Sequence, residues 1–294
     1  VMVTILALGA ALAYGVADFL GGAVARRSTA LNALAWCVPT GLAAVLLAAL
    51  LTGGSAGPAA MAWGFGAGLA GGTGLITFYR ALARGPMNVV APVSALAAAV
   101  LPVGVGTLRG ERLDATVLAG VLLCLVAIGL VSMEASDNGT DEPTTTGARR
   151  LLDSGPLMAG VSGACFGIFF VLLKTAGDGG GLWPLVAARA GNLVIVVAAL
   201  LFMARVRRGE TGPRVAGRTL IGFALLSGTL DAGANALYLL AVRDGLLSLA
   251  AVLTSLYPAI TVLLARFAYS ERLRTIQRLG MAIAIAGVAL VTVG

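Results

Sequence analysis

Apolar runs of about 20 residues recur from one end of this chain to the other, each long enough to cross a hydrocarbon core about 30 Å thick. No other feature restricts the fold so severely. A chain inside a bilayer must satisfy its backbone polar groups internally, as helices or as a closed barrel. Barrel strands alternate over roughly ten residues, and no such segments occur here. The sequence therefore reads as an all-α integral membrane protein. Composition agrees: 59% of the 294 residues are hydrophobic and 11% are charged, whereas a soluble domain is about a quarter charged.

Ten spans are expected, over 3–24, 31–52, 61–83, 87–107, 115–133, 156–175, 184–204, 219–241, 246–267 and 276–293. The first lacks a basic leader and ends at Arg26-Arg27, so it reads as a retained helix rather than a cleaved signal peptide. One long polar stretch, 134–155, interrupts the series and reads as a linker between a first half, 1–133, and a second half, 156–294. Its Asn138-Gly139-Thr140 matches a glycosylation sequon, a short pattern common by chance in polar linkers.

The halves repeat each other. Residues 85–113 read GPMNVVAPVSALAAAVLPVGVGTLRGERL and residues 245–273 read GLLSLAAVLTSLYPAITVLLARFAYSERL. At this offset of 160, Gly85 falls on Gly245, Glu111 on Glu271, Arg112 on Arg272, Leu113 on Leu273 and Gly120 on Gly280. A repeat with an odd number of spans enters the membrane from the opposite side the second time. The expected architecture is thus two inverted five-helix repeats about an axis in the membrane plane, an arrangement suited to alternating access.

Ten helices in two halves, each with a Gly-Glu-Arg-Leu-like turn before a Gly-bearing last helix, resemble the EamA family of the drug/metabolite transporter superfamily. The residues that carry the resemblance are Gly110-Glu111-Arg112-Leu113, Ser270-Glu271-Arg272-Leu273 and the Pro-bearing Tyr257-Pro258-Ala259. Membership implies secondary export of small organic molecules such as amino acids, other metabolites or drugs. It also implies a cavity between the halves, often with proton coupling or exchange. The family's usual topology puts both termini in the cytoplasm. Charge bias points the other way: Arg26, Arg27, Arg149, Arg150, Arg207 and Arg208 fall in loops that this topology places outside, against only Arg109, Arg112, Lys174 and Arg243 in the others.

Ionisable side chains inside spans mark functional positions by default. Asp18, Arg80, Arg189 and Asp231 are the candidates, with Asp231 nearest mid-membrane. Arg189 reaches toward the depth of Asp231, so those two can pair. Asp18 lies roughly 14 Å from Arg189 in depth, by the helical rise, and on the side of Arg80. One acid–base pair per half, on opposite membrane faces, is therefore expected. Each pair serves either as a buried strut or as a switch, because burial and a neighbouring arginine act in opposite senses on a carboxyl's proton affinity.

Asn192 and Asn235 follow Arg189 and Asp231 by three and four residues and share their helical faces, with Tyr238 one step on. Tyr14 shares the face of Asp18, and Tyr79 adjoins Arg80. Asn88 and Ser94 are weaker candidates. Gly64, Gly68 and Gly72 line one face of the third helix, which suits close packing or sliding. Pro92, Pro102 and Pro258 each free a carbonyl and permit a kink. Trp36, Trp63 and Trp183 read as interfacial anchors.

The chain has no histidine, and Cys37, Cys124 and Cys165 stand singly in apolar runs. Without a nucleophile–base pair or metal-ligand spacing, no catalytic residue, metal or cofactor is expected. The net charge of +7 resides in short loops between spans, where topology and lipid headgroups account for it better than nucleic acid. The expected partners are the bilayer, a small-molecule substrate and protons; the duplicated chain can act as a monomer, with a homodimer as the alternative. The expected function is a secondary transporter in a bacterial inner or plasma membrane. A lipid flippase is the main rival, and a membrane enzyme a weaker one.

Overall fold

The computed structural model describes residues 2–84, 87–110, 114–133, 155–177, 180–206, 214–269 and 275–293. These residues form the helices α1 (Met2–Arg27), α2 (Ala30–Thr52), α3 (Pro58–Arg84), α4 (Met87–Leu108), α5 (Ala115–Met133), α6 (Gly155–Thr175), α7 (Trp183–Val206), α8 (Arg218–Asp244), α9 (Leu247–Thr254), α10 (Tyr257–Tyr269) and α11 (Thr275–Val293). Residues 134–154 of the expected linker, its sequon and both Glu-Arg-Leu turns lie outside the described residues.

Six helices are long and apolar enough to cross a membrane: α1, α2, α3, α6, α7 and α8. Shorter apolar segments run over Val93–Leu108, Leu118–Ala127 and Leu247–Thr261. The protein is thus a multi-pass α-helical membrane protein. Its outer surface fits lipid rather than water, since Leu47, Leu50 and Leu51 of α2, Leu201 and Phe202 of α7 and Ile285 of α11 all point outward. Trp36 and Trp63 are exposed in the same way, whereas Trp183 is half-buried at the start of α7.

The helices associate mainly across the two halves. α1 packs on α8, α3 on α6 and α7, α4 on α6, α2 on α8, and α5 on α11. Small residues make this possible, because apolar side chains gain little by leaving lipid for protein, so backbone proximity must supply the attraction. A Cβ on Gly68 of α3 would strike the Ala188 carbonyl of α7, and a Cβ on Gly228 of α8 would strike the Cys37 carbonyl of α2. Gly64 and Gly72 press on Pro184 and Asn192 of α7 in the same manner, so the glycine face is a packing seam.

The expected ninth helix, 246–267, is instead two segments. It breaks at Ser255-Leu256, where Leu256 N–H donates to Leu253 O and Ala259 N–H to Leu256 O, three residues back rather than four. Pro258 lacks the N–H that would bond Thr254 O, and its ring crowds that carbonyl. α1 holds the break in place. Thr261 Oγ1 donates to both Tyr257 O and Gly15 O at 3.2 Å, and a Cβ on Gly15 would stand 2.7 Å from Tyr257 O. α4 contains Pro92 and Pro102 yet runs on without interruption.

Candidate functional site

A cavity enclosing about 520 Å³ of atom-free space, counted with its open mouth, lies between the helices. Its wall draws on both halves. Tyr14 and Asp18 come from α1, Gly71 and Leu75 from α3, and Ala98 from α4. Phe166, Phe169 and Phe170 come from α6, Arg189 and Asn192 from α7, Asp231 and Asn235 from α8, and Tyr257 from α10. One part of the lining is polar (α1, α7 and α8), while α3, α4 and α6 offer carbon. Tyr14 joins the two, with its ring 6.5 Å from Phe170 and 6.1 Å from Tyr257.

Arg189 and Asp231 form a salt bridge, Arg189 Nη1 donating to Asp231 Oδ2. The arginine side chain is 2% exposed and the aspartate side chain 19%, so the guanidinium is locked in protein while the carboxylate faces the cavity. A pair at this depth is costly to desolvate, and removing one partner leaves the other charge stranded. Asn235 Nδ2 donates to Asp231 O at 2.7 Å and approaches Asp231 Oδ1 at 3.5 Å, which fixes the amide's orientation. Gly41 of α2 lies beside the guanidinium, where an added Cβ would stand 3.5 Å from Arg189 Nη1 and 2.9 Å from Gly228 O.

The expected pairing in the first half does not form. Arg80 is exposed at the C-terminal end of α3, and among the described residues it makes no ion pair with Asp18. Its neighbour Tyr79 is buried instead, with its hydroxyl 3.3 Å from Ser227 Oγ. Successive residues on a helix point about 100° apart, so one faces the core and the other lipid. Asp18 is 9% exposed and lines the same cavity as Arg189 and Asp231. Asp18 thus shares a cavity with Arg189, and among the described residues the two form no ion pair.

Of the remaining candidates, Tyr14, Asn192 and Asn235 line the cavity. Tyr238 is fully buried behind it, its ring 4.3 Å from that of Phe170. Ser94 is buried within 3.4 Å of Ser162, which donates to Gly74 O, so it ties α4 and α6 to α3. The side chain of Asn88 lies outside the described residues. Tyr257 and the three phenylalanines of α6 were not among the sequence candidates. Spacings of three and four in Phe166, Phe169 and Phe170 mark one helical face, but an aromatic face on an apolar helix suits lipid or core equally well. Among the described residues no cluster of metal-ligating side chains occurs.

Residues 153–293 match the model of the EamA-like transporter family. No curated protein matches the chain in sequence. A solved structure described only as the crystal structure of a protein aligns with 99% of this chain and 96% of its own, at a TM-score of 0.66 and 20% identity. That likeness concerns the fold alone. It spans both halves, whereas the family match covers the second half, with the α7–α8 ion pair and α10. Over residues 153–293, just under half of its length, the chain is thus similar to the EamA-like transporters, a family of the drug/metabolite transporter superfamily.

Proposed function

We propose that this protein is a secondary transporter that exports a small organic molecule by alternating access, with the cavity between the halves as its substrate site. One observation carries the reading: a single cavity, walled by helices of both halves, holds the buried Arg189–Asp231 pair and Asp18. Charged groups at membrane depth persist where they serve a pathway or a coupling ion.

The architecture that fits this role is ten spans in two inverted halves, with α9 and α10 together forming the ninth. Two features support it. Helices α3, α5 and α8, α11 keep the offset of 160 at both ends. The packing partners also exchange in register, with α1 on α8 answering α6 on α3, and α3 on α7 answering α8 on α2. Two similar packings of one scaffold can then trade roles and open the cavity to either side.

In this mechanism Asp231 is the coupling group. With Arg189 engaged it is charge-compensated; as the α7–α8 contact opens, the carboxylate loses its cation and takes up a proton. The test is a substrate screen by thermal shift in detergent, repeated with Asp231→Asn, followed by flux measurements in proteoliposomes. A ligand whose stabilisation disappears in Asp231→Asn, and which moves across vesicles only with the wild-type chain, supports the assignment. Lipid scrambling in the same vesicles, without solute flux, refutes it.

A further inference from the structure

The cavity's own unanswered hydrogen-bonding groups narrow the substrate class, an inference that rests on the cavity being the transport site. Five groups there lack a protein partner: two amide oxygens, the Asp18 carboxyl, one guanidinium nitrogen and the Tyr257 hydroxyl. Asn192 Oδ1 and Asn235 Oδ1 are buried acceptors with no donor, and the Asn235 amide cannot turn without losing its bond to Asp231 O. Both side chains are nearly enclosed, at 3% and 4% exposure. Asp18 has no arginine or lysine in ion-pair range among the described residues. Against these acceptors stand Arg189 Nη2, a donor, and the Tyr257 hydroxyl, which can donate or accept. A buried polar group left unpaired is costly, so a ligand that supplies the missing partners binds preferentially.

Charge points the same way. With Asp231 matched by Arg189, Asp18 is the carboxyl left without a cation, and a single positive charge on the ligand keeps it ionised. A zwitterion or an anion brings no net positive charge to offset an ionised Asp18. Three acceptors call for three donors, which a primary ammonium carries as N–H bonds and a quaternary ammonium lacks. Leu75, Phe166, Phe169 and Phe170 face the polar wall and accept an apolar body. Arg189 Nη2 requires only a neutral acceptor such as a hydroxyl or water. We infer that the cavity selects monocationic primary amines with an apolar, preferably aromatic, body, with Asp18 and the Asn192 and Asn235 carbonyls receiving the ammonium.

The test uses the purified full chain in detergent, with phenethylamine, its N,N,N-trimethyl analogue, phenylalanine and phenylacetate titrated in thermal-shift assays. The amine is expected to bind most tightly. The trimethyl analogue should bind about tenfold more weakly, since it loses N–H donation to charged and amide acceptors. Asp18→Asn should weaken the amine about ten- to a hundredfold. Asn235→Leu keeps the cavity's charge and removes one acceptor, so it should weaken phenethylamine more than the trimethyl form, and this holds the test even where Asp18→Asn does not fold. Equal binding of the trimethyl analogue, or tighter binding of phenylalanine or phenylacetate, overturns the amine class while leaving the cavity a ligand site. No shift from any of these probes also overturns it, and the vesicle assay above then decides the transport reading separately.

Discussion

Helices α3 and α8 are the same length and stand 160 residues apart at both ends, yet they face the cavity with opposite chemistry. In register, Gly71 answers Asp231, Leu75 answers Asn235 and Phe78 answers Tyr238. Their outer seams are alike: Gly68 presses on the α7 backbone as its counterpart Gly228 presses on α2. Packing in lipid depends on backbone approach and constrains both copies equally. The cavity surface carries no such constraint, so one copy supplies carbon and the other supplies charge. On the proposed two-repeat reading, a duplicated scaffold with an unduplicated site offers a ligand a polar wall and an apolar wall at once.

The comparison breaks most sharply at the ion pair. Asp231→Leu strands Arg189 and should cost about 3–5 kcal/mol of stability, read as a large fall in melting temperature. The double change Arg189→Met with Asp231→Leu makes α8 resemble α3 and should recover most of that loss. It should not recover ligand binding. A double variant as unstable as the single one would mean that the pair is not the local source of stability.

The shared seams give the next largest effect. Gly68→Ala and Gly228→Ala should each cost about 1–3 kcal/mol by overpacking, in either half. Gly66, on α3 but with nothing within 4 Å of an added Cβ, is the control. Gly66→Ala should be neutral or stabilising by up to about 1 kcal/mol, the helix-propensity difference. Equal effects at Gly66 and Gly68 in unfolding measurements would remove the seam from the explanation. A smaller change is expected at Ser227, which donates to Ala17 O at 2.8 Å and meets Tyr79. Ser227→Ala should cost about 1 kcal/mol.

A second contrast separates α4 from its counterpart α9–α10. Two prolines leave α4 continuous, while one proline accompanies the break at Ser255-Leu256. Proline removes a bond, but the break needs a neighbour that accepts the freed geometry, and Gly15 with Thr261 provides it. Pro258→Ala should therefore change stability least of these variants while slowing any motion that uses the break. The check is amide exchange across 253–259. A continuous, protected helix there would assign the break to Pro258 alone, and an unchanged pattern would assign it to α1.

Much of this could be read from the sequence. Apolar run length identified the helices, and α3 with α8, like α5 with α11, keeps the offset of 160 at both ends. Spacing put Arg189 with Asn192 and Asp231 with Asn235 on shared faces, and the Arg189–Asp231 pair lies where helical depth put it. Depth along a helix says nothing of rotation, and Arg80, one step from buried Tyr79, faces outward. The aromatic wall was hidden because a phenylalanine facing a cavity and one facing lipid obey the same hydrophobic pattern. Only the packing of α6 against α3 and α4 tells them apart.

The most direct test is proton-driven solute flux in proteoliposomes, comparing wild type with Asp231→Asn under an imposed pH gradient. Gradient-driven accumulation is expected with the wild-type chain and is expected to vanish in Asp231→Asn. Full proton-driven accumulation in Asp231→Asn would contradict the assignment of coupling to the polar wall of α8.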